Sequence, residues 1–81
     1  MKLTTLAPNQ NVVEVTEGKF FQSYDSKICF IPNDGSPIQL DRSKWDYSKT
    51  TSKYRNQFLG EDTKTTQKNI DNGTYILTEL N

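Results

Sequence analysis

Histidine is absent from this 81-residue chain. Its absence removes the commonest general base and the commonest metal ligand. Serine and threonine are plentiful, but none has an evident base partner. Cysteine is nearly absent too. Cys29 stands alone, so no internal disulfide forms, which favours an intracellular setting. It sits in an apolar run and reads as a small buried hydrophobe rather than a reactive thiol. One cysteine and scattered carboxylates give no zinc set, and Asn33-Asp34-Gly35-Ser36 lacks the remaining oxygen ligands of a calcium loop. With four glycines in all, there is no glycine-rich phosphate loop. The carboxylate pairs Asp41/Asp46 and Glu61/Asp62 read as turn and helix-start residues. The expectation is a protein that is not an enzyme and needs no metal or cofactor.

Long hydrophobic runs are also missing. Apolar residues make up 32% of the chain, low for a globular domain. No stretch approaches the roughly 20 apolar residues that span a bilayer. Residues 1–8 lack the apolar run of a signal peptide, so a cytoplasmic location is expected. Neither charge sign dominates: Lys and Arg number 10, as do Asp and Glu. That excludes an acidic DNA mimic and a globally basic nucleic-acid binder, while leaving room for a local patch. Asn72-Gly73-Thr74 matches a glycosylation sequon but reads as a turn.

The chain does hold four phenylalanines, four tyrosines and one tryptophan, enough for a small core. A chain of this length buries only about 60–65% of its unfolded surface. A homodimer would help so thin a core.

The pattern predicts one α+β domain over residues 1–81, with residues 1–10 as an arm or short edge strand. Val12 to Thr16 is β-branched and reads as a strand, with Val13 and Val15 inward. Glu17-Gly18 turns the chain into a returning strand from Lys19 to Tyr24. Phe20 and Phe21 there point to opposite faces, so one of them is exposed or covered by another element. Lys27 to Ile31 is apolar on both faces, as a central strand would be. The Asp34-Gly35 step then suggests a turn into Ile38-Gln39-Leu40.

Ser48 or Thr50 offers an N-cap for a helix from about Thr51 to Leu59, ended by Gly60. Tyr54 and Phe58 share a face of it. The acidic pair Glu61-Asp62 opens a second helix, from about Thr63 to Asp71, whose one apolar residue is Ile70. Thr74 to Leu80 reads as a final strand. The expected fold is a small antiparallel sheet of four to five strands, with two short helices inserted before the last strand.

The densest chemistry lies between Arg42 and Arg55. Arg42, Lys44, Lys49, Lys53 and Arg55 stand there against one carboxylate, Asp46, with Trp45, Tyr47 and Tyr54 interleaved. Such interleaving suits single-stranded nucleic acid, through phosphate contacts and base stacking. It equally suits a protein interface, where Trp, Tyr and Arg are enriched. A third reading makes Trp45 and Tyr47 packing residues and the charges solvated. The candidate contact residues are Arg42, Lys44, Trp45, Lys49, Lys53 and Arg55.

The run Trp45-Asp46-Tyr47-Ser48-Lys49-Thr50-Thr51-Ser52-Lys53-Tyr54-Arg55-Asn56-Gln57-Phe58-Leu59, preceded by the aromatic strand Phe21-Gln22-Ser23-Tyr24-Asp25-Ser26, resembles a motif of small uncharacterised bacteriophage and prophage proteins. The resemblance covers roughly residues 19–80. It implies an origin in a phage or prophage of a low-GC Gram-positive host. It carries no established activity and transfers no functional residues.

Small phage proteins without catalytic groups often act by occupying a host protein, anti-CRISPR and other anti-defence proteins being the best-known class. The expected function is therefore a phage-encoded binding protein that inhibits or modulates a host nucleic-acid-processing or defence complex. A direct single-stranded DNA or RNA binder and a virion structural or assembly protein are the alternatives.

Overall fold

The computed structural model describes residues 2–81. Turn-forming residues divide the first part of the chain into a four-strand meander: β1 (Lys2–Ala7), β2 (Gln10–Val15), β3 (Gly18–Ser23) and β4 (Ser26–Pro32). Asn9 at φ 64° and Tyr24 at φ 55° supply the left-handed residues of the first and third turns. The Tyr24 amide donates to the Asn9 carbonyl over 2.7 Å, tying those two turns together. A longer loop around Gly35 leads into β5 (Gln39–Asp41). The expected arm is thus a six-residue edge strand.

Helices follow where the capping residues permit. Ser48 accepts a hydrogen bond from the Thr51 amide at 3.1 Å, so α1 (Lys49–Leu59) starts before Thr51. Its end is fixed by Gly60 at φ 72°, whose amide donates to the Asn56 carbonyl. The Asp62 carboxylate accepts from the Thr65 amide at 2.8 Å and opens α2 (Thr63–Asp71). The final strand, β6, is confined to Ile76–Thr78.

The sheet runs β1-β2-β3-β4-β5-β6, each strand beside its neighbour in sequence. The first four pairings are antiparallel, and β6 lies parallel to β5. The expectation of an antiparallel sheet of four to five strands is corrected to a mixed sheet of six. A parallel pair needs a crossover of a dozen or more residues, usually helical, and α1 with α2 is that crossover.

Register decides which side chains form the core. Thr4, Val12, Phe21, Cys29, Leu40 and Leu77 are successive cross-strand partners and form one row across the sheet. This row faces the helices: Phe21 stacks on Phe58 of α1 with ring centroids 5.9 Å apart. Phe21, Ile28, Cys29 and Leu40 are fully buried, and Trp45, Tyr54, Phe58, Leu59, Ile70, Tyr75 and Leu77 pack around them. Val12 takes the inward position that the alternation suggested for Val13 and Val15. Those two pair with Phe20 and Gly18 on the opposite face. A bulge opposite Phe21 adds Ile28 beside Cys29, which explains why adjacent residues of β4 are both buried. Burial also pushes the Cys29 thiol far above its ordinary pKa, leaving it protonated and unreactive.

No helix among the described residues is long and apolar enough to cross a membrane.

Candidate functional site

The segment between β5 and α1 is held by buried polar groups. The Asp41 carboxylate accepts from the amides of Ser43 and Leu80, and its carbonyl accepts from the Trp45 amide. One side chain thereby joins the start of the segment to the end of the chain. Trp45 is half-buried against the core. Beyond it the chain turns outward, and Tyr47 is 46% exposed.

Arg55 is the pin of this region. It lies on the inner side of α1 and is fully buried. Its Nη1 donates to the Trp45 carbonyl, to Asp46 Oδ1 at 3.3 Å and to Ser52 Oγ at 3.3 Å. Its Nη2 donates to Asn56 Oδ1 at 2.9 Å and to Thr63 Oγ1 at 2.7 Å. The guanidinium also sits 5.1 Å from the centre of the Trp45 ring, in a cation–π contact. One cation therefore holds the 45–46 segment, α1 and the first residue of α2 together.

This arrangement leaves a shallow groove of about 780 Å³, lined by Tyr47, Lys49, Lys53, Asn56, Gln57 and Thr63 among others. Lys49, Lys53 and Gln57 repeat every four residues and share one exposed face of α1. Lys44 lies with its Nζ 5.2 Å from the Tyr47 ring centre. Asp46 also borders the groove, but its carboxylate is engaged by Arg55 and by the Ser52 hydroxyl at 2.6 Å. Among the described residues that is the one ion pair, so Lys49 and Lys53 have no carboxylate within ion-pair distance.

Local electrostatics disfavour both lysines. The first turn of α1 carries Lys49 and no acid, although a helix N-terminus is partly positive. Lys49 and Lys53 are also like charges at i, i+4, a mildly repulsive spacing. The rim is therefore an electropositive surface with an exposed aromatic ring.

Four of the six sequence candidates meet at or near this rim in different ways. Lys49 and Lys53 line the groove, Lys44 stacks on Tyr47, and Trp45 lies beneath as packing. Arg42 is exposed, and its guanidinium donates to the Leu77 carbonyl at 3.4 Å, toward β6. Arg55 is internal and offers nothing to a partner. Basic residues at 53 and 55 look alike in sequence; only helical phase separates them, and the roughly 200° between two residues of α1 sends Lys53 outward and Arg55 inward.

Two clusters had no signal beyond ordinary turn and strand composition. Glu61 accepts from the Thr66 hydroxyl at 2.6 Å and from the Tyr75 hydroxyl at 2.7 Å, latching α2 to the chain before β6. Burial and the Glu61 carboxylate together push the Tyr75 hydroxyl up to about 12. Ser23 and Thr51 share a buried 3.0 Å hydrogen bond between β3 and α1. Both clusters support the fold. Among the described residues no group of three or more His, Cys, Asp or Glu side chains is placed to hold a metal ion.

No curated protein and no solved structure matches the chain significantly. A family of unknown function (DUF8033) matches residues 1–73, nearly the whole of the sheet-and-helix unit, and the chain belongs to that family.

Proposed function

We propose that this chain is a non-enzymatic binding protein of phage origin. It sets the cationic rim of α1 on an acidic surface of a host nucleic-acid-processing or defence complex in the bacterial cytoplasm, and so inhibits or modulates that complex. The observation that carries this reading is the placement of Lys49 and Lys53. They are exposed, without carboxylate partners, and set where each other's charge, and for Lys49 the helix dipole, opposes them. Within the fold Lys53 has a cation–π contact with the Tyr54 ring, 5.3 Å from its centroid, and no ion pair, whereas an anionic partner would relieve the repulsion on docking. Lys44 and Tyr47 extend the same rim, while Arg55 keeps the surface beneath it rigid.

The test is a charge reversal at lysines whose contacts within the chain are limited to the Tyr47 and Tyr54 rings. The variant Lys44→Glu/Lys49→Glu/Lys53→Glu should keep the thermal melt of the parent chain. It should lose capture of its partner from host lysate by about tenfold or more, because like charges face each other across the contact. A folded triple variant that captures the same partner undiminished would sink the assignment.

A second reading, direct binding of single-stranded DNA or RNA, is favoured by the ring of Tyr47, 46% exposed and flanked by a lysine. Bases stack on such rings while lysines follow the phosphates. A labelled oligonucleotide at about 50 mM salt separates the two readings. If three lysines meet phosphates, log K falls with log salt at a slope of about −2. No binding at that salt disposes of the second reading.

A further inference from the structure

The helices cover one face of the sheet, and none of the described residues covers the other. A single row of cross-strand partners crosses that open face from edge to edge: Leu3, Val13, Phe20, Phe30, Gln39 and Ile76. The Phe20 and Phe30 rings lie at its centre with centroids 4.4 Å apart. At its ends Leu3 is 63% exposed and Ile76 is 45% exposed. The rows on either side are Val15–Gly18–Pro32 and Thr5–Asn11–Gln22–Lys27. Lys27 is the one formal charge in these three rows.

An antiparallel sheet with a single helical layer normally turns apolar residues inward and polar residues to water. Strands β1 to β3 depart from that in one row on their open side. Their charged residues Lys2, Glu14 and Lys19 pair in one row on the helix side, while the outward row is aliphatic and aromatic. Depletion of charge with enrichment of aromatics marks the centre of a protein interface, not a solvated face.

We propose that this face is the interface of a homodimer, two copies packing sheet against sheet. The area fits. β1 to β4 cover about 19 Å across at the usual strand spacing and run about 20 Å, and the three-residue β5 and β6 add about 10 Å by 10 Å. That is roughly 480 Å² in plan, which side-chain relief raises toward the roughly 600 Å² per partner of the smallest stable interfaces.

Charge fits as well. Three rows with one cation between them oppose a second copy weakly: Lys27 stands at the start of β4 beside the turn, and its Nζ lies 5.3 Å from the Phe20 ring centroid, held against an aromatic face. Sheets stacked about 10 Å apart would close the two rows into a second core. This supplements a first core with four fully buried apolar side chains among the described residues. The same geometry turns both α1 grooves outward, giving the dimer two identical binding rims.

Sedimentation equilibrium of the full chain from about 1 to 100 µM tests this, a range that spans the weak end of specific association. The expected mass rises from 9.3 kDa to twice that value. Val13→Lys and Ile76→Lys should each weaken dimerisation at least about tenfold by placing a cation in the contact. If Val13→Lys fails to fold, Ile76→Lys at its more exposed site carries the test. A chain that stays monomeric throughout the range leaves the face to another partner and overturns the proposal. So does a dimer whose affinity a folded Ile76→Lys variant leaves unchanged.

Discussion

Replacing Gly18 with alanine should lower the stability of the chain by about 2–3 kcal/mol, the scale of overpacking in a closed site. Gly18 opens β3 and pairs with Pro32 of β4. It is buried. A Cβ at this position would overlap the Ile31 carbonyl oxygen and would come within 2.9 Å of the Phe30 ring. The ring belongs to a side chain that has freedom to turn. The carbonyl belongs to the central strand of the sheet and moves only with its backbone. The cost should therefore fall on the β3–β4 pairing itself, and with it on the row that carries both Phe20 and Phe30.

Such a loss is large on the scale of the molecule. Domains of this length are stable by roughly 4–12 kcal/mol. A loss of 2–3 kcal/mol should lower the melting temperature by about 10–20 °C. Thermal melts of Gly18→Ala and of Gly18→Ala/Phe30→Ala decide where the clash lies. The double variant should recover nothing, because removing the ring leaves the Ile31 carbonyl in place. Recovery in the double variant would show the ring to be the obstacle. A single variant that melts with the parent would refute the close approach altogether.

Elements governed by local chemistry were legible in the sequence. β-branched runs, the turn at Gly35, the Ser48 cap, the acidic start of α2 and the Gly60 stop each depend on residues within a few positions of one another; the turn read at Glu17-Gly18 falls one residue earlier, on Thr16-Glu17, with Gly18 already in β3. The helical faces were legible as well: Tyr54 and Phe58 follow from a 3.6-residue period, Ile70 is the one apolar residue of α2, and all three reach the core. What the sequence withheld depends on distant pairing. In Val12-Val13-Glu14-Val15 either phase of a two-residue alternation places a valine inward, and only the pairing of Val12 with Phe21 selects one. The bulge at Ile28 shifts the face of one residue in β4 and leaves no mark in composition. The parallel addition of β6 to β5 is set by the path of the two-helix crossover, which no local propensity encodes. The candidate site was half legible for the same reason. A cluster of basic and aromatic residues is visible in one dimension, but whether each points to water or to the interior depends on helix phase and on what α2 brings alongside.

Arg55 is where that difference has its largest consequence. Were it a surface contact, Arg55→Lys would be a mild change with its effect on binding alone. Buried as it is, the substitution should cost about 2–4 kcal/mol of folding stability, through lost hydrogen bonds to charged donors and acceptors left unpaired. The ion pair with Asp46 supplies the smaller share. Asp46 is 43% exposed, so water screens that attraction and rehydrates the carboxylate once the cation is gone. The larger share comes from the Trp45 carbonyl, Asn56 Oδ1 and Thr63 Oγ1, which the two ends of one planar fork satisfy together. A lysine ammonium is a single point and does not reach both ends. Trp45, the one tryptophan of the chain, lies against the guanidinium and reports on the site. In urea, Arg55→Lys should unfold at a lower midpoint with an unchanged slope. Before that transition its tryptophan emission should already be shifted to the red, as water reaches the ring. Partner capture through Lys49 and Lys53 should weaken in parallel, since Asn56 and Thr63 line the groove those lysines border. A variant with parental stability and parental emission but reduced capture would return Arg55 to the contact surface and remove it from the scaffold.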